Sequence, residues 1–139
     1  MQPMEVADEL ARLALFADLT EPQLQGVAHT FDERWFEEGA RILRQGLTGS
    51  GFYIVLDGEV AIRQDARDLA TLARGDFFGE ISALLGAPPV ADVVALRAVR
   101  CLHLAASGLQ DFLLAYPAVM FRMLLDQTRR VQGANRWRG

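Results

Sequence analysis

The stretch best equipped for chemistry is Leu72-Ala73-Arg74-Gly75-Asp76-Phe77-Phe78-Gly79-Glu80-Ile81-Ser82. Gly79 follows a strand-like end and opens a short helical turn, Glu80 to Leu85. Backbone N–H groups at such a start attract anions, and glycine permits close approach. Glu80 there is a carboxylate placed to accept hydrogen bonds, for instance from a sugar hydroxyl. A Gly-Glu pair alone is equally a capped helix start.

Three other groupings carry less. Cys101 and His103 lie two apart on a strand-like run and therefore share a face. A thiolate and an imidazole there could ligate a metal or haem, but a core thiol beside a half-buried imidazole is the commoner arrangement. Asp57, Glu59, Asp65 and Asp68 crowd one turn-rich region, where acidic residues also serve solvation and turn geometry. His29 stands alone at a helix end. No Ser/His/Asp or Cys/His nucleophile arrangement and no P-loop is present, so catalysis is not expected.

The elements that must position these residues follow from local pattern. Val6, Leu10, Leu13, Ala14 and Ala17 recur at helical spacing between Met4 and Leu19. Thr20-Glu21-Pro22-Gln23 is a capping box with proline in the first turn, opening a helix to about His29. From Phe31 short aromatic and branched runs alternate with glycine turns. Phe52-Tyr53-Ile54-Val55-Leu56, Asp57-Gly58 and Glu59-Val60-Ala61-Ile62 read as a hairpin. Gln64 to Arg67 is a second turn before Leu69 to Leu72, and Val90 to Leu96 and Val99 to Leu104 add strands. Trp35, with Phe31 and Phe36, is expected in the core. Ser107-Gly108-Leu109-Gln110 reads as a second capping box opening Leu109 to Ala115.

Pro117 starts a last helix to about Val131 or beyond. Met120, Leu124, Gln127 and Val131 form one row and Phe121, Leu125 and Thr128 another, wide enough for one to face the domain and one a partner helix. A homodimer through the first row is expected. The pattern predicts a mainly β fold with flanking helices: a jelly-roll β-roll.

Composition bounds the rest. The 139 residues suit a single domain, and 51% hydrophobic content is enough for a sizeable core. One cysteine excludes an internal disulfide and an all-cysteine cluster within one chain. No apolar run is long enough to span a bilayer and no secretion signal opens the chain, so a cytoplasmic location is expected. Net charge is −4 and every basic residue is arginine. That balance disfavours nucleic-acid binding by this chain alone. Arg129, Arg130, Arg136 and Arg138 read as a solvated helix end.

Taken together these motifs resemble a cyclic nucleotide-binding domain of the bacterial regulator superfamily that includes the catabolite activator protein (CRP/FNR). Leu15 to Thr20 resembles the family's opening helices. Gln45-Gly46, Gly49, Phe52-Tyr53-Ile54 and Gly58 resemble its glycine-marked β-roll. Gly75 through Ala95 resembles its phosphate-binding cassette, and Asp111 to Leu114 with Tyr116-Pro117 resembles the entry to its long final helix. The resemblance implies one domain over residues 1–139, with helices at about 4–29, a double-stranded β-helix roll at about 30–105 and C-terminal helices at about 107–132. It implies a non-enzymatic ligand sensor whose ligand is cyclic AMP or cyclic GMP, with no metal. The pocket would be lined by Phe78, Gly79, Glu80, Ile81, Ser82, Pro89, Ala91 and Asp92.

The cassette departs from the family pattern of Gly-Glu, Pro, then Arg-x-Ala-Thr or Ser. Gly79, Glu80, Pro88 and Ala91 match, but Pro89 stands at the phosphate-binding arginine and Asp92 at the hydroxyl. A charge-assisted hydrogen bond contributes roughly 1.5–3 kcal/mol, and proline offers neither charge nor N–H. An ionised Asp92 near a phosphate would add about 1–4 kcal/mol of repulsion. Together these predict cyclic nucleotide binding weakened by about two to four decades, unless an arginine such as Arg41 or Arg97 substitutes. The expected function is a sensor for a different small ligand or none. The alternatives are a protein-interaction module with a vestigial pocket, or the sensor part of a transcription regulator. Members of that last class continue into a helix-turn-helix, which this sequence does not contain.

Overall fold

The computed structural model describes residues 3–47 and 51–138; Gly49, one of the glycines carrying the resemblance, lies outside them. Helices α1 (Pro3–Leu10) and α2 (Glu21–Thr30) precede strands β1 (Asp32–Phe36), β2 (Arg41–Leu43), β3 (Phe52–Asp57), β4 (Val60–Gln64), β5 (Arg67–Leu72) and β6 (Phe77–Phe78). Helix α3 (Glu80–Leu85) interrupts the roll before β7 (Asp92–Ala95) and β8 (Val99–Leu104). Helices α4 (Leu109–Ala115) and α5 (Pro117–Arg138) close the chain. The strands form two antiparallel sheets, ordered β1-β8-β3-β6 and β2-β7-β4-β5. This is the expected jelly roll with flanking helices.

The strand pleat explains why β3 is apolar almost without interruption. Phe52, Ile54 and Leu56 pack against the helices, with Leu10, Phe16, Val27, Leu109 and Val119. Tyr53 and Val55 point the other way, into the roll, with Val60, Phe78, Val93 and Cys101. Both faces of that sheet are covered, so period-two alternation of polarity disappears.

Four local expectations change. Asp57-Gly58 is not a hairpin turn, because β3 and β4 belong to different sheets. Gly58 (φ +93°) turns the corner between them, and a Cβ there would lie 2.3 Å from the Ala98 carbonyl oxygen. The two-residue turn lies instead at Asp65 and Ala66, both at positive φ, between β4 and β5. The N-terminal run does not form one helix to Leu19. Arg12 and Leu13 bond three residues back, a 3₁₀ turn follows at Ala14–Phe16, and Leu10, Leu13, Leu15 and Phe16 all reach the core. A straight helix would splay those four side chains around its axis.

Trp35 is 70% exposed rather than buried, with the Arg100 guanidinium over its ring at 5.6 Å. Ser107 does not cap α4; it sits in a 3₁₀ turn at Ala106–Gly108, and Gly108 takes the N-cap position without a side-chain bond. The Thr20–Gln23 capping box is present as expected, with both reciprocal bonds formed. No helix among the described residues is long and apolar enough to cross a membrane.

Candidate functional site: a cavity beneath the final helix

Gly79 positions the site. Its φ of +88° turns the chain out of β6 into α3, and a Cβ there would lie 2.2 Å from the Gly51 carbonyl oxygen. Only glycine fits so close an approach at that backbone angle. The next residue, Glu80, is thereby driven inward and is only 5% exposed.

A cavity of about 220 Å³ lies between α3 and the sheet of β4, β5 and β7. Phe78, Gly79, Glu80, Ile81, Ser82, Pro89 and Ala91 line it, so seven of the eight expected residues come together. Most of the remaining wall is apolar, from Leu43, Ile62, Leu72 and Val93. Pro89 is buried in the wall.

Asp92 is the exception. Around the start of β7 the pleat sends Ala91 and Val93 to the cavity and Asp92 and Val94 to the opposite face, where both line a second groove. The Gln45 backbone N–H donates to Asp92 Oδ1 at 2.7 Å. Asp92 shares an outer groove with Arg41, Arg63 and Asp68. The repulsion expected between Asp92 and a ligand in the cavity therefore does not arise from this geometry.

Neither arginine considered as a substitute clamp reaches the cavity. Arg41 lines the outer groove with Asp92, and Arg97 lies 3.5 Å from Glu59 on the surface. The cation that does line the cavity is Arg130, from the helix end read from sequence as simply solvated. Its guanidinium lies over the Phe77 ring at 4.7 Å and 3.8 Å from Glu80 Oε1. A row of arginines at a chain end carries no sign of which one turns inward. Spacing could have shown only that Gln127 and Arg130 share a face three residues apart.

Gln127 also turns inward, and its Nε2 donates to Glu80 Oε1. Glu80 Oε2 is buried with no hydrogen-bond partner. Burial pushes the Glu80 carboxyl above its ordinary value, and its own backbone N–H, Gln127 and Arg130 offset that only in part. The site thus combines a largely apolar chamber, one buried carboxylate with an unpaired oxygen, and two polar groups supplied by α5.

The family model for the cyclic nucleotide-binding domain matches residues 33–116. The chain belongs to this family. A cGMP-dependent protein kinase from Caenorhabditis briggsae is 36% identical over 88 residues, 59% of this chain and 12% of that kinase. The chain thus spans about a tenth of the length of the curated kinases it matches first. The catabolite activator protein of Thermus thermophilus superposes with a TM-score of 0.77 at 28% identity, covering 87% of this chain and 59% of that one. A regulatory subunit of a cAMP-independent protein kinase A from Trypanosoma brucei, solved as a triple variant bound to cAMP, gives a TM-score of 0.74 at 26% identity. The match covers 91% of this chain and 47% of that one.

Several of the remaining candidates in this cyclic nucleotide-binding domain belong to the framework. His103 Nδ1 lies 2.9 Å from Asp32 Oδ1, and its ring packs on Tyr53 at 4.9 Å. Cys101 is fully buried, which pushes its thiol up to about 12. No cluster of three metal-ligating side chains occurs among the described residues. Asp68 pairs with Arg63 at 2.6 Å, and Asp65 meets Gln45.

The expected partner row on α5 is split. Met120, Leu124 and Val131 are exposed, whereas Gln127 is drawn to Glu80. The seam packed on the domain is Val119 and Met123, which neither expected row contained.

Proposed function

We propose that this chain is a non-enzymatic regulatory domain, a single folding unit over residues 1–139, whose cyclic-nucleotide pocket has lost its phosphate clamp. The observation that carries the reading is Pro89, buried in the cavity wall at the position where the family pattern places arginine. Arg130 does not restore the clamp, because it already lies beside Glu80. Support also comes from the T. brucei relative: a subunit described as cAMP-independent was bound to cAMP as a variant that introduces an arginine.

Coupling to the rest of a larger assembly runs through α5. A ligand group that reaches Glu80 competes with Gln127 and Arg130, so occupancy of the cavity loosens the last turns of that helix. The outer side of α5 presents Met120, Phe121, Leu124 and Val131 to solvent, next to an apolar groove shared with Leu84 and Leu85 of α3. That surface suits self-association through the final helix.

Titration calorimetry with cyclic AMP and cyclic GMP tests the pocket. The wild-type chain shows no saturable binding below about millimolar, and Pro89→Arg gains it, since one charge-assisted bond is worth roughly one to two decades. Asp92 is left intact because it anchors the Gln45 backbone. Saturable micromolar binding by the wild type overturns the reading. For the helix, Leu124→Glu halves the mass measured by light scattering without loss of folding, because Leu124 is 59% exposed; an unchanged mass removes α5 as the interface.

A further inference from the structure

We infer that the open edge of β1 docks a partner protein presenting an extended, lysine- or arginine-rich segment, which adds as a further strand and seats on Trp35. No residue of β1 lines the cavity, so the inference is independent of the lost clamp.

The backbone comes first. β1 pairs with β8 alone and forms an outside edge of its sheet. Among the described residues no further backbone hydrogen bond involves Asp32 to Phe36, so the outer side of the strand has no backbone partner. Such an edge accepts an incoming strand unless something guards it, and the usual guard is unpaired charge. Here the charges of the strand are spent within the chain. Asp32 lies 2.9 Å from both Arg34 and His103, and Glu33 lies 3.2 Å from Arg100.

The side chain left to solvent is a tryptophan. Trp35 is 70% exposed, while Phe36 beside it packs on Tyr53. Arg100 lies over the indole at 5.6 Å and is itself held by Glu9 and Glu33, so the ring is braced at the edge of the sheet. A braced, exposed tryptophan is the kind of anchor around which protein interfaces form, and its ring also attracts lysine and arginine. The edge strand β5 of the other sheet carries no aromatic residue and offers no such anchor.

Charge selects the occupant. Glu37 and Glu38 follow β1 directly, and both are exposed with no ion pair among the described residues. Trp35 and Glu37 are two residues apart, the repeat at which an added strand presents side chains on one face. A segment with cations at alternate positions therefore sets one on the indole and the next toward a carboxylate. The net charge of −4 favours the same partner and repels an acidic one.

The test follows Trp35 fluorescence in a Trp137→Phe chain, which keeps a single tryptophan, with backbone amide resonances recorded in parallel. Synthetic peptides of equal length are titrated: alternating lysine and valine, alternating lysine and proline, and alternating glutamate and valine. The lysine–valine peptide binds saturably and shifts the amides of Asp32 to Phe36. The lysine–proline peptide keeps the charge but loses N–H donors, and it binds at least about tenfold more weakly, as does the glutamate peptide. Trp35→Ala, followed by the amide shifts, weakens the lysine–valine peptide about fivefold or more. Glu37→Lys combined with Glu38→Lys weakens it about tenfold. The substituted side chains are exposed, so both variants keep the wild-type circular dichroism. Equal affinity for the two lysine peptides reduces the contact to charge alone and overturns the inference. Shifts centred on β5, or no saturable binding, do the same. A fall in mass by light scattering in Trp35→Ala gives the edge to a second copy of this chain and also overturns it.

Discussion

Two places in the molecule hold charge away from water, and they handle it in opposite ways. Arg100 on β8 is held by Glu9 of α1 at 2.6 Å and by Glu33 of β1 at 3.2 Å, with the three side chains between 13 and 20% exposed. Each charge has its counterpart. Glu80, more deeply buried, has Gln127 and Arg130 both reaching toward one oxygen and none toward the other. The first site ties the N-terminal helix to the sheet and needs nothing more. The second leaves one oxygen unpaired, on a residue that lines a cavity. Full satisfaction marks framework, and a single unsatisfied buried atom marks a place where the fold is not optimised for stability alone.

The largest effect is expected in the framework. Arg100→Ala leaves Glu9 and Glu33 facing each other without a cation, and it removes the guanidinium from the Trp35 ring. Truncating one member of a largely buried ionic group should destabilise the fold by about 2–4 kcal/mol. Urea denaturation measures it. A midpoint equal to that of the wild type would show that the paired site is not structural, and the contrast with Glu80 would collapse.

Much of this framework was legible in the sequence. The Thr20–Gln23 capping box, the strands around Phe52–Leu56 and Val99–Leu104, and proline at the start of α5 announce themselves by local chemistry. What escaped depends on long-range placement. Asp57-Gly58 has hairpin composition, yet the strands on either side belong to different sheets, a choice made by contacts such as Gly58 against Ala98. Seven of the eight pocket residues were foreseeable because the cassette is contiguous. The exception, Asp92, was within reach of sequence reasoning: neighbours on a strand face opposite ways, so an inward Ala91 sends Asp92 outward. Arg130 and Gln127 were not within reach, since they arrive from a helix some fifty residues away in sequence, and only the fold brings them to Glu80.

A middle-sized effect is expected where α5 meets the pocket. Gln127→Ala takes away the one side-chain hydrogen bond that Glu80 receives and leaves both carboxylate oxygens without a strong donor. An orphaned buried acceptor costs about 1–3 kcal/mol. Hydrogen exchange sharpens the comparison. Amides in the last turns of α5 should lose protection in this variant, while those of β8 around Arg100 keep theirs. Uniform loss across both regions would mean that Gln127 supports the whole fold and not the pocket alone.

The smallest effect is a change of slope with pH, and it separates the two kinds of carboxylate by sign. Asp32 is pushed up by partial burial, but hydrogen bonds from His103 and Arg34 outweigh this and hold it below its ordinary value. Such a group stabilises the fold above the ordinary carboxyl range and loses that contribution as pH falls through its lowered value. Asp18, lowered by its hydrogen bonds from Arg122, acts in the same direction. Glu80 runs the other way. Its raised value means that the folded chain holds a proton the unfolded chain has released, so stability falls as pH rises from the ordinary carboxyl range to the raised one and is level above it. Glu80→Gln should abolish that fall while leaving the acid limb set by Asp32 and Asp18. Urea midpoints measured from acid to neutral pH distinguish the two limbs. If the variant keeps the wild-type descent toward neutrality, Glu80 is not its source, and burial of that carboxylate carries no penalty.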